Sequence, residues 1–277
     1  MKAVLTKCFF VVFDFMRTIY RTTSFYKKKL IRIEAANVIN TLKQKEYYSK
    51  IMLDVFDNDY VVHNGPFEGM KYIDNSSGSA LLPKIMGSYE EPIQEWISQV
   101  IEGKHYETIL DIGCAEGYYA VGFGMRMPES RIIAYDTNAE AIKLLGELIK
   151  LNNLSNINIK HKCTHDELNF RCKKNTLIFC DIEGGERDLL DFEKVPNLRY
   201  VDLIVESHDC FIQNMTEILI DRFYNTHIIK IFSDYPFRKN KYKTPNKCSK
   251  RMFGEIADET RPPAMKFLYM ESIDGKL

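Results

Sequence analysis

Two stretches of this 277-residue chain carry side chains able to hold a ligand and move a proton. The first, Ile109-Leu110-Asp111-Ile112-Gly113-Cys114-Ala115-Glu116-Gly117-Tyr118, sets a carboxylate and two glycines behind an apolar run. Gly113 lets the backbone turn sharply and approach a ligand, and Gly117 permits tight contact where a helix begins at Tyr118. The second, Asp181-Ile182-Glu183-Gly184-Gly185-Glu186, gathers carboxylates just past the apolar run Thr176–Cys180, and Glu206 and His208 follow a third such run. Carboxylates at strand ends could orient a hydroxyl, hold His208 in place, or bind a divalent cation that lowers the hydroxyl's pKa. His208 is the candidate general base, because imidazole titrates near neutrality. Bland roles compete: Asp181 and Glu183 could cap a helix over 186–192, and His208 could be a structural histidine.

Asp136 strengthens the first stretch. It ends the run Arg131–Tyr135, where a carboxylate followed by Thr137 can accept hydrogen bonds from ribose hydroxyls. Both a dinucleotide and a mononucleoside cofactor use such a residue. The dinucleotide fingerprint Gly-x-Gly-x-x-Gly aims a helix N-terminus at a pyrophosphate, but Ala115 stands where its middle glycine belongs.

Short apolar runs alternating with helical stretches must position these groups, which predicts a parallel sheet covered by helices on both faces. Strands are expected at Thr108–Ile112, Arg131–Tyr135, 157–162, Thr176–Cys180, 202–205, 227–232 and 265–270. Helices are expected at 118–127, stopped by Pro128, at Ala139–Leu151, capped by Thr137 or Asn138, and at 216–223. Ile142, Leu145, Leu148 and Ile149 share one face of the second. Residues 233–263 form a long polar connection bearing Arg238, Lys239, Lys241, Lys243, Lys247, Lys250 and Arg251, a solvated loop or a substrate-facing lid.

Composition narrows the partners. Thirty-eight basic and thirty-eight acidic residues cancel, so no global positive field gathers nucleic acid, and none is expected as a partner. Seven cysteines without a Cys-x-x-Cys pair point to free thiols in a reducing cytoplasm. His161, Cys163 and His165 alternate but lack a fourth ligand at structural zinc spacing, so no metal ligand set is assigned. Trp96 is expected in the core. The apolar start, interrupted by Lys7 and Asp14, is too short to span a bilayer. It reads as an amphipathic helix packed on the domain or on a second subunit, with peripheral contact of residues 1–30 to the inner face of a membrane as the alternative.

The spacing Asp111-x-Gly113-x-x-x-Gly117 resembles motif I of class I methyltransferases. The Asp181-x-Glu183-Gly184-x-Glu186 segment resembles that of FkbM-type methyltransferases, as do Val205-Glu206-Ser207-His208 and the upstream Gly87-Ser88-Tyr89-Glu90. The resemblance covers about residues 65–270; Gly185, where the family often has Ala, and the apolar N-terminal extension depart from it. It implies a doubly wound, mostly parallel seven-stranded α/β sheet over 65–277 behind a helical extension, 1–64. It implies S-adenosyl-L-methionine held by Tyr89, Glu90, Asp111, Gly113, Ala115, Gly117, Tyr118, Asp136, Thr137 and Asp181, with His208, Asp181, Glu183 and Glu206 around the acceptor. The implied reaction is O-methylation of a sugar hydroxyl on a glycan, glycolipid or glycosylated metabolite. A scaffold protein that retained the fold and a nicotinamide-dependent oxidoreductase are the rival readings; a divalent cation and an oligomeric state are left open.

Overall fold

The computed structural model describes residues 27, 29, 46–234, 242–259, 261 and 265–276. It divides into two units, Met1–Asp54 and Val55–Leu277. In the first, the described residues are helical; apart from Lys27 and Lys29, the apolar segment 1–30 lies outside the described residues. No helix among the described residues is long and apolar enough to cross a membrane. The second unit starts before the expected boundary at 65: Phe56 stacks on His63 and Val61 bridges Lys71.

The second unit is built on one seven-stranded sheet. Its strands are β1 Thr108–Ile112, β2 Arg131–Tyr135, β3 Ile157–Lys160, β4 Thr176–Cys180, β5 Asp202–Ser207, β6 His227–Ser233 and β7 Lys266–Ser272. Their order is β3-β2-β1-β4-β5-β7-β6, parallel except for β7, which runs antiparallel to both neighbours. Central strands buried on both faces read as continuous apolar runs, and β4 is buried at every residue. Strand β3 lies at the edge, half-buried at its ends and exposed between. It stops at Lys160 rather than 162 because Thr164 accepts the Glu167 N–H and starts a helix at His165.

Helices α1 Leu81–Met86, α2 Gln94–Gly103, α3 Tyr118–Arg126, α4 Ala139–Leu151, α5 His165–Arg171, α6 Glu186–Leu189, α7 Met215–Phe223 and α8 Lys250–Ile256 accompany the sheet. Asn138 caps α4 by accepting the Glu140 and Ala141 N–H groups. The buried stripe of α4 is Ala141, Leu144, Leu145 and Leu148, one position off the expected stripe through Ile142 and Ile149. Helix α6 ends at Leu189, short of the expected 192, as Leu190 leaves helical geometry. The connection from β6 to β7 is no uniform solvated loop: Ser249 caps α8, which buries Phe253 and Ile256. Trp96 is a core residue, packed at 5.7 Å from the Tyr269 ring.

Candidate active site

The chain leaves β1 for β2 on one side and returns to β4 on the other, so strand order reverses between β1 and β4. Open α/β sheets take ligands in the crevice at the C-terminal ends of such a pair. Asp111 lies within β1, Asp181 follows β4, and Glu206 and His208 lie at the end of β5.

The loop after β1 is fixed by backbone chemistry. Gly113 has φ 89°, and a β-carbon there would stand 1.7 Å from the Asp181 carbonyl oxygen. Only glycine fits, and its closeness joins the two sequence motifs. Gly117 has φ 102°, and a β-carbon would meet Leu145 Cδ1 of α4 at 2.3 Å. Ala115 also takes a left-handed conformation, φ 46°, uncommon for a residue with a β-carbon. Its N–H donates to Asp136 Oδ2 at 2.9 Å, and Asp136 Oδ1 accepts the Asn138 N–H at 2.7 Å. Asp136 therefore ties the loop to the start of α4, while Thr137 is exposed and Tyr118 buried.

Asp111 is 1% exposed, and its Oδ2 has no hydrogen-bond partner among the described residues. Burial, then the nearby Asp181 carboxylate, push its carboxyl well above the usual range, against a bond from the Ala120 N–H. The neighbouring Glu116 is wholly buried yet well satisfied. It accepts from Lys84 Nζ, from Tyr72 Oη at 2.6 Å, from Ser76 Oγ at 2.9 Å and from the Ser77 N–H at 3.0 Å. Burial alone would raise Glu116; Lys84 outweighs it and holds the carboxyl below its ordinary value.

At the ends of β4 and β5, His208 is 2% exposed. Its Nδ1 lies 2.9 Å from Glu186 Oε1, and its Nε2 lies 3.4 Å from Asp181 Oδ1 and 3.5 Å from Glu183 Oε2. Burial alone would lower the imidazole pKa, but Glu186, then Asp181 and Glu183, outweigh it and hold it above its ordinary value. Asp181 Oδ1 is sealed from solvent without a hydrogen-bond partner among the described residues, although the side chain as a whole keeps 27% exposure. Burial and the Glu90 charge push Asp181 up to about 6. Glu206 is raised well above the carboxylate range by burial and by Asp181. One potential ligand atom from each of Asp181, Glu206 and His208 lies within 4.8 Å of the others. Glu183, at φ 56°, keeps a 69% exposed side chain. Neither it nor Asp181 caps α6, whose N-cap Gly185 has no side-chain bond; Glu186 instead reaches back to the Ile182 N–H.

The segment before β7 supplies a cation. Arg261 donates to Glu90 Oε1, Glu206 Oε1 and, at 2.7 Å, Glu259 Oε2, with its guanidinium 5.2 Å from the Tyr89 ring centroid. Tyr119 donates to the other oxygen of Glu90 while stacking on Phe179 at 3.9 Å. Tyr89 and Glu90 thus sit buried beside Asp181 and Glu206. Sequence reasoning missed Arg261, which lies far along the chain in a run of polar residues, and left Glu186 without a role; its position three residues beyond Glu183 in the acidic motif was the available signal. The triplet 161, 163 and 165 is not a site: Cys163 is buried and His161 exposed.

Neither a family model nor a curated protein sequence matches the chain. Solved structures resemble it in shape. A SAM-dependent O-methyltransferase from Thermotoga maritima aligns at 14% identity over 64% of each chain, TM-score 0.40. TYW2 from M. jannaschii, in complex with AdoMet, aligns at 14% identity over 70% of this chain and 81% of that one, TM-score 0.40. A precorrin-6y C5,15-methyltransferase from Geobacter metallireducens aligns at 11% identity over 62% and 84%, TM-score 0.41. The fold itself, fixed by its strand order, is the Rossmann-like, mostly parallel seven-stranded sheet with flanking helices.

Proposed function

We propose that the chain is an S-adenosyl-L-methionine-dependent O-methyltransferase whose acceptor is a sugar hydroxyl. The observation that carries the reading is the loop at the reversal of strand order. There a glycine that nothing larger can replace, a backbone turn tied to Asp136, and the unpartnered buried oxygen of Asp111 converge. The residues suit the cofactor: Asp111 and Asp181 are acidic groups awaiting a cationic ligand, and Gly113, Ala115 and Gly117 present backbone rather than side chains. Asp136 and Thr137, just past the end of β2, would bond the ribose hydroxyls. Tyr89, Glu90 and Tyr118 complete the wall.

When bound, the cofactor supplies an electrophilic methyl group on a positively charged sulfur. Asp181, Glu183 and Glu206 orient the acceptor hydroxyl. His208, its Nδ1 held by Glu186, would in the metal-free site accept the acceptor hydroxyl's proton on Nε2. Holding the acceptor oxygen in line would supply several kcal/mol, of the order of 7–11 kcal/mol in the best intramolecular reactions. The sugar assignment draws on the resemblance of the acidic segment and on the exposed Lys243, Lys247, Lys250 and Arg251, which suit a phosphorylated or acidic glycoside.

Calorimetric titration with S-adenosylhomocysteine tests the reading. Micromolar binding lost in Asp111→Asn and Asp136→Ala is expected. Absence of binding to folded wild-type chain would leave the scaffold reading, and binding of a nicotinamide dinucleotide instead would establish the oxidoreductase.

A further inference from the structure

The side-chain cluster at the C-terminal ends of β4 and β5 holds more ligand-forming chemistry than a proton acceptor requires. The Glu186 carboxylate, itself 0% exposed, lies 2.9 Å from His208 Nδ1; as an acceptor it draws the ring hydrogen to Nδ1, and Nε2 faces Asp181 Oδ1 at 3.4 Å. A buried carboxylate behind a histidine is how metal-ligating imidazoles are oriented. The atom that Nε2 faces, Asp181 Oδ1, is sealed from water and has no hydrogen-bond partner among the described residues. Glu206, the third member, is 3% exposed, and Arg261 engages its Oε1.

We propose that Asp181, Glu206 and His208 bind a divalent first-row metal ion, with Glu186 as the residue that positions His208. Two ligands each about 2.0–2.2 Å from such an ion stand about 2.8–3.1 Å apart at octahedral angles and about 3.3–3.6 Å apart at tetrahedral ones. The Nε2 to Asp181 Oδ1 separation is 3.4 Å, and all three ligand atoms lie within 4.8 Å, so a small inward movement of Glu206 closes the set. Two carboxylates balance the ion's charge, and one nitrogen with two oxygens suits Mn2+ or Zn2+. Three protein ligands leave room for the acceptor hydroxyl, whose pKa the ion lowers. This use of the metal rests on the methyltransferase reading; metal binding does not. In the metal-bound site Nε2 is occupied, so the proton-accepting role that His208 has in the metal-free site passes to Glu183, whose side chain is 69% exposed and whose Oε2 stands 3.5 Å from the same nitrogen.

The test uses full-length chain dialysed against chelator and titrated with Mn2+, free ion being read by its paramagnetic resonance signal. S-adenosylhomocysteine binding is measured by calorimetry on the same preparations. One Mn2+ per chain is expected. Asp181→Asn and His208→Gln should weaken binding at least about tenfold, and Glu186→Gln about 10- to 100-fold. Asp188→Asn, with an exposed carboxylate, should leave it unchanged. Circular dichroism verifies that each variant is folded; should His208→Gln not fold, Glu186→Gln and Asp181→Asn decide. No Mn2+ binding by wild-type chain, or unchanged binding in the folded Asp181 and Glu186 variants, overturns the proposal. Homocysteine-cofactor binding without metal sinks only the metal site. Metal binding without cofactor sinks only the methyltransferase reading.

Discussion

Replacing Lys84 with methionine tests how the cofactor loop is held. Among the described residues the ammonium is the sole countercharge of Glu116, and both side chains are almost fully buried, at 2% and 0% exposure. Removing one partner of a buried pair costs about 3–5 kcal/mol, because the remaining charge is left in a medium that solvates it poorly. Glu116 retains the bonds from Tyr72, Ser76 and Ser77, and methionine fills the space beside the Tyr89 and Tyr118 rings. The lower end, about 3 kcal/mol, is therefore expected. For a unit of this size that is a fall of about 6–12 °C in Tm. Urea unfolding followed by circular dichroism would measure it in Lys84→Met, Glu116→Gln and the double variant. The double variant should recover most of the loss, since neither charge then remains. Because Glu116 sits below its ordinary value when folded, the pair's contribution is complete above about pH 4.5 and fades as pH falls through the folded value, so the gap between wild type and Lys84→Met should narrow in acid. A single-variant loss below about 1 kcal/mol, or a double variant equal to the sum of the singles, would refute the reasoning.

Three other outcomes follow from the same geometry. Asp111→Asn should raise Tm while weakening S-adenosylhomocysteine binding at least about tenfold, since ionising a buried, half-partnered carboxyl opposes folding; a lowered Tm would contradict this. Gly113→Ala should cost more than about 4 kcal/mol in unfolding free energy, whereas Gly146→Ala on α4, where a β-carbon meets nothing within 4 Å, should stabilise by about 0.5–1 kcal/mol; equal effects would exclude the steric account. Glu271→Gln should destabilise by less than about 1 kcal/mol at neutral pH, as its ion pairs with Lys104 and Lys230 are partly solvated. These partners outweigh burial and hold Glu271 near pH 2, so its contribution is full above about pH 4.5 and disappears as pH falls to about 2, where wild type and variant should unfold alike.

Three central strands were legible to their ends, whereas β5, also buried, runs to Ser207, two residues past the expected 205. Thr108–Ile112, Arg131–Tyr135 and Thr176–Cys180 match the expectation residue for residue, because a continuous apolar run bounded by polar residues leaves no alternative ending. Ends set by contacts from elsewhere were less legible: β7 extends to Ser272, whose N–H donates to Asp202 at the start of β5. The loop around Gly113 was readable because a backbone conformation demands a residue type. His208 and Asp181 were readable as strand-end chemistry, and the structure brings them within 3.4 Å. Arg261 was not, because ion pairs between positions 90, 206 and 261 leave no periodic trace and arise only when the chain folds back. Helix α8 escaped for a similar reason: its apolar residues Phe253 and Ile256 are sparse in a basic stretch.

The placement of β7 between β5 and β6 has a consequence for a chain emerging from the ribosome. Strand β6 is made first, yet its one ladder partner in the sheet, and so its path into the sheet, is β7. At ordinary translation speeds, roughly 5–20 residues per second, β6 waits a few seconds with Ile228, Ile231 and Phe232 on an unpaired ribbon, and β5 waits with an open edge. Arg261 arrives in the same interval, so Glu90 and Glu206 gain their shared cation only as the sheet closes. A chaperone that shields strand edges therefore has most to offer in the interval between the synthesis of β6 and that of β7.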